Sequence, residues 1–201
     1  INAGGTFRKG SGAKVGGSAF ALAAGDLNGD GHIDIATVNA QDDDVSILIG
    51  DGSGGLTAKS RIAVGLRPLG LAMGDFNKDG RIDLVVGLSG AAKLRMLAGD
   101  GSGNFAPGAS FTVGGQPRSV VAADFNGDGS LDVAVSNQGS ASVSVLLGDG
   151  KAGFAAETRY AVGDSPGSLI VTDINADGRL DLVVTNIGAD SISFLVGRGD
   201  G

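Results

Sequence analysis

A nine-residue pattern occurs four times in the chain at one fixed interval. DLNGDGHID starts at Asp26, DFNKDGRID at Asp75, DFNGDGSLD at Asp124 and DINADGRLD at Asp173, each 49 residues after the last. Val15, Val64, Val113 and Val162, each followed by Gly, keep the same interval. So do Phe7, Leu56, Phe105 and Phe154, each closing a Gly-rich turn. A strict period of this length dictates a repeat architecture, in which each unit buries its apolar surface against its neighbours.

Each unit reads as four short strands rich in β-branched residues. In the first unit they fall at Phe20–Ala24, Ile33–Val38, Val45–Ile49 and Ser60–Val64, and the fourth unit repeats the second and third as Leu180–Thr185 and Ile192–Val196. IGDGSGG (Ile49–Gly55) and AGDGSGN (Ala98–Asn104) supply Asp-Gly hairpin turns. No segment sustains a 3.6-residue apolar period, so helix is expected to be nearly absent. The predicted class is all-β, a β-propeller of four-stranded antiparallel blades with four blades per chain. The repeats run over about 16–64, 65–113, 114–162 and 163–201, and residues 1–15 form the strand that closes the last blade. The chain is then one propeller domain closing as a four-bladed ring, or a half-propeller that forms an eight-bladed ring as a homodimer.

Composition narrows the function. There is no cysteine, which removes disulfides, thiolate metal sites and thiol nucleophiles. With 22 acidic against 15 basic residues, nucleic acid is not an expected partner. No run of about 18 apolar residues occurs, so no membrane-spanning helix is expected. The start, INAGGTFRKG, lacks an apolar signal-peptide core and an initiator Met, as in a mature or excised piece of something longer.

The repeated loop has the donor chemistry of a metal site. Positions 1, 3 and 5 place three side-chain oxygens on one side of a tight turn, position 6 is always Gly, position 7 offers its carbonyl, and position 9 adds a carboxylate. The expected ligand sets are Asp26, Asn28, Asp30, His32 and Asp34; Asp75, Asn77, Asp79, Arg81 and Asp83; Asp124, Asn126, Asp128, Ser130 and Asp132; and Asp173, Asn175, Asp177, Arg179 and Asp181. All donors are hard oxygens, which favours Ca²⁺, about one per repeat. Four such ions bring the formal net charge from −7 to +1. The loop differs from an EF-hand, because strands rather than helices flank it and no position-12 Glu is needed.

At these residues, DFNGDGSLDVAV (Asp124–Val135) most clearly, the chain resembles the FG-GAP or VCBS repeat of bacterial secreted proteins and of integrin α-chain heads. The resemblance extends over all four units. It implies a β-propeller with Ca²⁺ in the hairpin between each blade's first and second strands, and an extracellular setting. Integrin heads have more blades than the four counted here, which leaves ring size open.

The expected function is a non-enzymatic binding, adhesion or scaffold module for a protein or glycan, with Ca²⁺ structural because every unit carries the site alike. Strand direction puts the metal loops and the third-to-fourth turns at one face. The second-to-third and inter-blade connections, where the units differ most, lie at the other. The resemblance to integrin heads implies ligand contact there, with Asn39, Arg67, Arg118, Asn137 and Asn186 as candidates. Alternative readings are a carbohydrate-binding lectin, against which the lack of Trp and the single Tyr160 count; a polysaccharide-lyase-type propeller, which needs a placed base; and an engineered or excised repeat fragment without activity of its own. His32, the one histidine, occupies the loop position whose side chain is free, and makes a poor general base. Asp42-Asp43-Asp44 reads as a solvated hairpin tip, and Arg198-Gly199-Asp200 falls where the repeat's Gly-Asp-Gly turn belongs.

Overall fold

A computed structural model describes residue 10 and residues 12–201. The strand expected over residues 1–15 lies outside the described residues, apart from residues 10 and 12–15. Blade 1 comprises β1 (Ala19–Gly25), β2 (Asp34–Asn39), β3 (Asp44–Gly50) and β4 (Leu56–Ala63). Blade 2 comprises β5 (Pro68–Gly74), β6 (Asp83–Leu88), β7 (Lys93–Gly99) and β8 (Phe105–Thr112). Blade 3 comprises β9 (Pro117–Ala123), β10 (Asp132–Asn137), β11 (Ser142–Leu146) and β12 (Thr158–Ala161), and blade 4 comprises β13 (Pro166–Thr172), β14 (Asp181–Asn186) and β15 (Ser191–Leu195). Each blade is an antiparallel meander paired in chain order. Among the described residues helix is confined to two single 3₁₀ turns, Gln138–Ser140 and Ile187–Ala189.

The strands differ from expectation mainly at their ends. β2 starts at Asp34, not Ile33, because Asp34 already pairs with Gly25. β4 starts at Leu56, not Ser60, because the ladder with β3 continues past a bulge at Lys59, with Ser60 opposite Ile47 and Ala58 opposite Leu48.

The core sits between the blades. Leu27, Ala36, Val38, Val45 and Ile47 of blade 1 pack with Leu71, Leu84, Val86 and Leu97 of blade 2. Ala72, Phe76, Val85, Leu94 and Met96 of blade 2 pack with Val120, Val133, Val135 and Leu146 of blade 3. Phe125, Ala134, Val143 and Val145 of blade 3 pack with Leu169, Leu182 and Val184 of blade 4. Side chains alternate accordingly: on β6, Leu84 and Val86 face blade 1 and Val85 faces blade 3. This explains why the middle strands are apolar on both faces. Burying each such side chain contributes about 1.5–3 kcal/mol. An isolated meander would be marginal, so the inter-blade layers hold the molecule together.

Backbone bonds repeat the same arithmetic. The N–H of Ala40, Ser89, Gln138 and Ile187 donates to the carbonyl of Ser18, Arg67, Gln116 and Ser165, each at 3.0 Å. Each second-to-third connection is thereby tied to the segment that enters its own blade. The two faces inferred from strand direction are therefore present.

One glycine per blade is required by close approach. A Cβ on Gly50, Gly99, Gly148 or Gly197 would lie 2.1 Å from the carbonyl oxygen of Ile33, Ile82, Leu131 or Leu180. Gly197 is thus the fourth copy of this position, and the Arg-Gly-Asp that follows it occupies the repeat's ordinary turn. Because backbone meets backbone, no side-chain rotation relieves the clash. Gly148→Ala should cost about 3 kcal/mol, the upper end of overpacking penalties, whereas Gly12→Ala, with nothing within 4 Å, should leave the melting temperature unchanged. Equal melting of the two variants would contradict the close approach.

Candidate metal loops and the opposite face

Each loop is wound on its own carboxylates. The Asp26 carboxylate accepts the backbone N–H of Gly29 at 2.7 Å, of Gly31 at 2.8 Å and of Asp30 at 3.2 Å. Asn28 Oδ1 accepts the Asp30 N–H at 2.9 Å, Asn28 Nδ2 donates to Asp30 Oδ2 at 2.8 Å, and Asp30 Oδ1 accepts the His32 N–H at 2.8 Å. The position-6 amide makes the same 2.8 Å bond in every loop: Gly80 to Asp75, Gly129 to Asp124 and Gly178 to Asp173. These glycines have φ between 80° and 83°, a left-handed turn that a Cβ disfavours. The Gly31 amide draws the Asp26 carboxyl below its ordinary pKa, and the Asn28 side chain does the same for Asp30.

The ninth residue is tied to the backbone of its own blade as well. Asp34 is fully buried, with Oδ2 accepting the Leu27 N–H at 2.9 Å and Oδ1 accepting the Gly50 N–H at 2.8 Å. Asp83 takes Phe76 and Gly99 at 3.2 and 2.9 Å, Asp132 takes Phe125 and Gly148 at 2.9 and 2.7 Å, and Asp181 takes Ile174 and Gly197 at 3.0 and 2.8 Å. One carboxylate thus staples the start of the loop to the end of the third strand. Burial pushes the carboxyls of Asp83 and Asp132 above the usual range; the two amides oppose this and the loop's other carboxylates reinforce it.

The donor set suits a hard cation, and the like charges of Asp75, Asp79 and Asp83, and of Asp124, Asp128 and Asp132, act on one another. In the structure they are held by backbone amides; among the described residues no three Asp, Glu, His or Cys side chains converge as a metal cluster. The position-7 side chain, expected to be free, is constrained. His32, Arg81 and Arg179 lie against Gly52, Gly101 and Gly199 of the adjacent third-to-fourth turns, as Ser130 does against Gly150. His32 Nδ1 lies 3.5 Å from Asp30, and Arg179 pairs with Asp177 at 2.9 Å.

On the opposite face, three ligand-contact candidates are structural. Asn39, Asn137 and Asn186 are buried, and their Nδ2 atoms donate to Ser46 at 2.8 Å, Ser144 at 2.7 Å and Ser193 at 2.9 Å. Asp42, Asp43 and Asp44 are likewise clamps rather than a solvated tip. Asp42 accepts the Gly17 N–H at 2.9 Å and pairs with Arg61, Asp44 pairs with Arg61 at 2.6 Å, and Asp43 accepts the Arg67 N–H at 2.7 Å. Arg118 does reach a cavity. Every first strand bulges at its entrance: the ladder skips Phe20, Leu69 and Arg118, and breaks again at Gly167–Ser168. Bulges re-aim side chains, and these residues line a cavity of about 450 Å³ where the four first strands meet. The Arg118 guanidinium lies over the Phe20 ring at 5.5 Å and donates to Gln138 Oε1 at 3.2 Å.

The chain matches the family described as FG-GAP-like repeat over residues 26–86, 75–135 and 124–184. No curated protein sequence matches it. Among solved structures it is similar to BBS1N, from a complex with ARL6DN, at 13% identity and TM-score 0.62, over 94% of this chain and 59% of that one. It is also similar to a lectin of Agrocybe aegerita that recognises non-reducing terminal N-acetylglucosamine, at 22% identity and TM-score 0.55, over 88% and 52%. The periplasmic gluconolactonase PpgL of Pseudomonas aeruginosa matches at 19% identity and TM-score 0.58, over 90% and 44%. The chain spans about half the length of each, and the likeness is one of fold.

The staple and the loop's first carboxylate separate by mutation. In chelator, Asp132→Asn leaves a buried amide facing a donor and should cost about 1–3 kcal/mol. Asp124→Asn, whose partners reach water, should stay within about 0.5 kcal/mol. Thermal melts read the difference, and equal losses would contradict the assignment.

Proposed function

The chain belongs to the FG-GAP-like repeat family, and from that premise we propose that it is a calcium-stabilised, extracellular binding or scaffold module of β-propeller type. The observation that carries the reading is a division between two faces. One presents the same loop in every blade. The other opens on the cavity where the bulged positions differ, as Phe20, Leu69, Arg118 and Gly167. A repeated feature serves the scaffold, and the position that varies at a shared cavity serves recognition. The partner in this reading is a protein or glycan with an acidic or hydrogen-bonding group for Arg118.

In each loop Ca²⁺ would be held by the residues at positions 1, 3, 5 and 9 and by the carbonyl at position 7, as in Asp26, Asn28, Asp30, Asp34 and His32. When bound, the ion supplies positive charge to carboxylates that otherwise rely on backbone amides. The chain's own contribution is to wind the loop on positions 1 and 5 and to anchor it through position 9. The reading is non-enzymatic. What supports it is that His32 lies in a metal loop, engaged with Asp30 and Gly52, and does not line the cavity.

Native mass spectrometry should show about four bound calcium ions, and chelation should lower the melting temperature markedly. The double variant Asp26→Asn/Asp30→Asn should bind one ion fewer and lose about 2.7 kcal/mol at calcium a hundredfold above Kd. Superimposed melts with and without chelator would overturn the calcium reading. A glycan array with wild type and Arg118→Ala tests the surface: a hit that survives Arg118→Ala would move recognition away from the cavity, and turnover of acidic polysaccharide would contradict the non-enzymatic reading.

A further inference from the structure

Every inter-blade layer joins the trailing face of one blade to the leading face of the next. On the trailing face, Ile47, Met96 and Val145 are 0%, 1% and 6% exposed in blades 1, 2 and 3. The same repeat position in blade 4 is Phe194, 49% exposed. Two residues earlier, Val45, Leu94 and Val143 are each 0% exposed, and their equivalent Ile192 is 54% exposed. On the leading face, Leu71, Val120 and Leu169 are 8%, 6% and 3% exposed in blades 2, 3 and 4, whereas their equivalent in blade 1, Leu22, is 67% exposed. The molecule therefore carries both halves of an interface that it forms three times internally, and leaves one half open at each end. β1 lies against β5, β5 against β9 and β9 against β13; among the described residues no contact of similar extent joins β13 to β1.

We infer that the trailing face of blade 4 receives the leading face of blade 1 from a second copy of this chain, head to tail. A second copy of these 201 residues satisfies both open faces at once, because what each end lacks is what the other presents. The apolar character fits: Ile174, at 50% exposed, stands where Leu27, Phe76 and Phe125 are buried in the three internal layers. Large exposed apolar patches on a sheet face mark association surfaces. A head-to-tail contact closes into a ring when its rotation permits and otherwise grows into a filament. The chain spans 59%, 52% and 44% of three structures that share its fold, so two copies supply about the length of each of those chains. The inference is independent of calcium.

Light scattering on the 201-residue chain, at increasing concentration and with or without chelator, reads the mass. Wild type should run at twice the chain mass. Leu22→Lys and Phe194→Lys, each at an exposed position, should both run as monomers with an unchanged β circular-dichroism spectrum. Mixing the two variants restores one wild-type pair of faces, so dimers should reappear in the mixture. A wild type that stays monomeric at every concentration overturns the proposal and leaves the open faces to blades outside these 201 residues. A dimer that survives both substitutions, or variants whose mixture stays monomeric, overturns the head-to-tail arrangement. A ladder of growing species overturns ring closure.

Discussion

A buried carboxylate that accepts two backbone amides from distant parts of one blade is the interaction on which the rest depends. Asp34, Asp83, Asp132 and Asp181 each bind the N–H that follows the loop's first residue and the N–H of a glycine at or two residues past the end of the third strand. A hydrogen bond to a charged group is worth about 1.5–3 kcal/mol, and two are needed to offset the cost of removing a carboxylate from water. The bond also dictates geometry. It brings Gly50 so close to the Ile33 carbonyl that no other residue fits, and it orients β2 so that Ala36 and Val38 enter the first inter-blade layer.

Loop and core are therefore one construction. The carboxylates at position 5 are exposed and those at position 1 are half-buried in three of the four loops, all wound on local amides, while the one at position 9 is buried. In the proposed calcium state, the ion neutralises a loop whose position the staple has already set. At the far end of the blade the backbone is less uniform, and the entrance bulges turn Phe20, Leu69 and Arg118 toward a shared cavity. In the proposed reading, rigid repeats at one end and variable bulges at the other make a scaffold that can change its recognition surface without changing its core.

Much of this was legible in the residues. The 49-residue period placed four blades, and alternating β-branched runs placed the strands to within a few residues. That Asp34 also anchors the blade was not legible from its place in the ligand pattern, because side-chain chemistry alone does not say which backbone amides a carboxylate meets. A signal was present, since Asp34, Asp83, Asp132 and Asp181 each precede a glycine by sixteen residues, the spacing across one hairpin. Asn39, Asn137 and Asn186 were read as surface residues for the same reason. Their partners Ser46, Ser144 and Ser193 recur with them, and both are replaced in blade 2, by Leu88 and Arg95, as expected of a buried pair. A signal for the bulges was present too, since Pro68, Pro117 and Pro166 each stand just before the bulged position, but Ala19 stands there in the first unit and hides the repeat. The exposed faces of blades 1 and 4 follow from position in the array rather than from composition.

Amide hydrogen exchange in calcium-free buffer tests the central claim most directly. If the buried carboxylates hold each blade, the N–H groups of Gly50, Gly99, Gly148 and Gly197 exchange only through opening of whole blades, as slowly as the amides of the middle strands. Exchange at the rate of the neighbouring exposed turns, with protection returning only when calcium is added, would contradict it and make the metal, rather than the staple, the element that holds the blade.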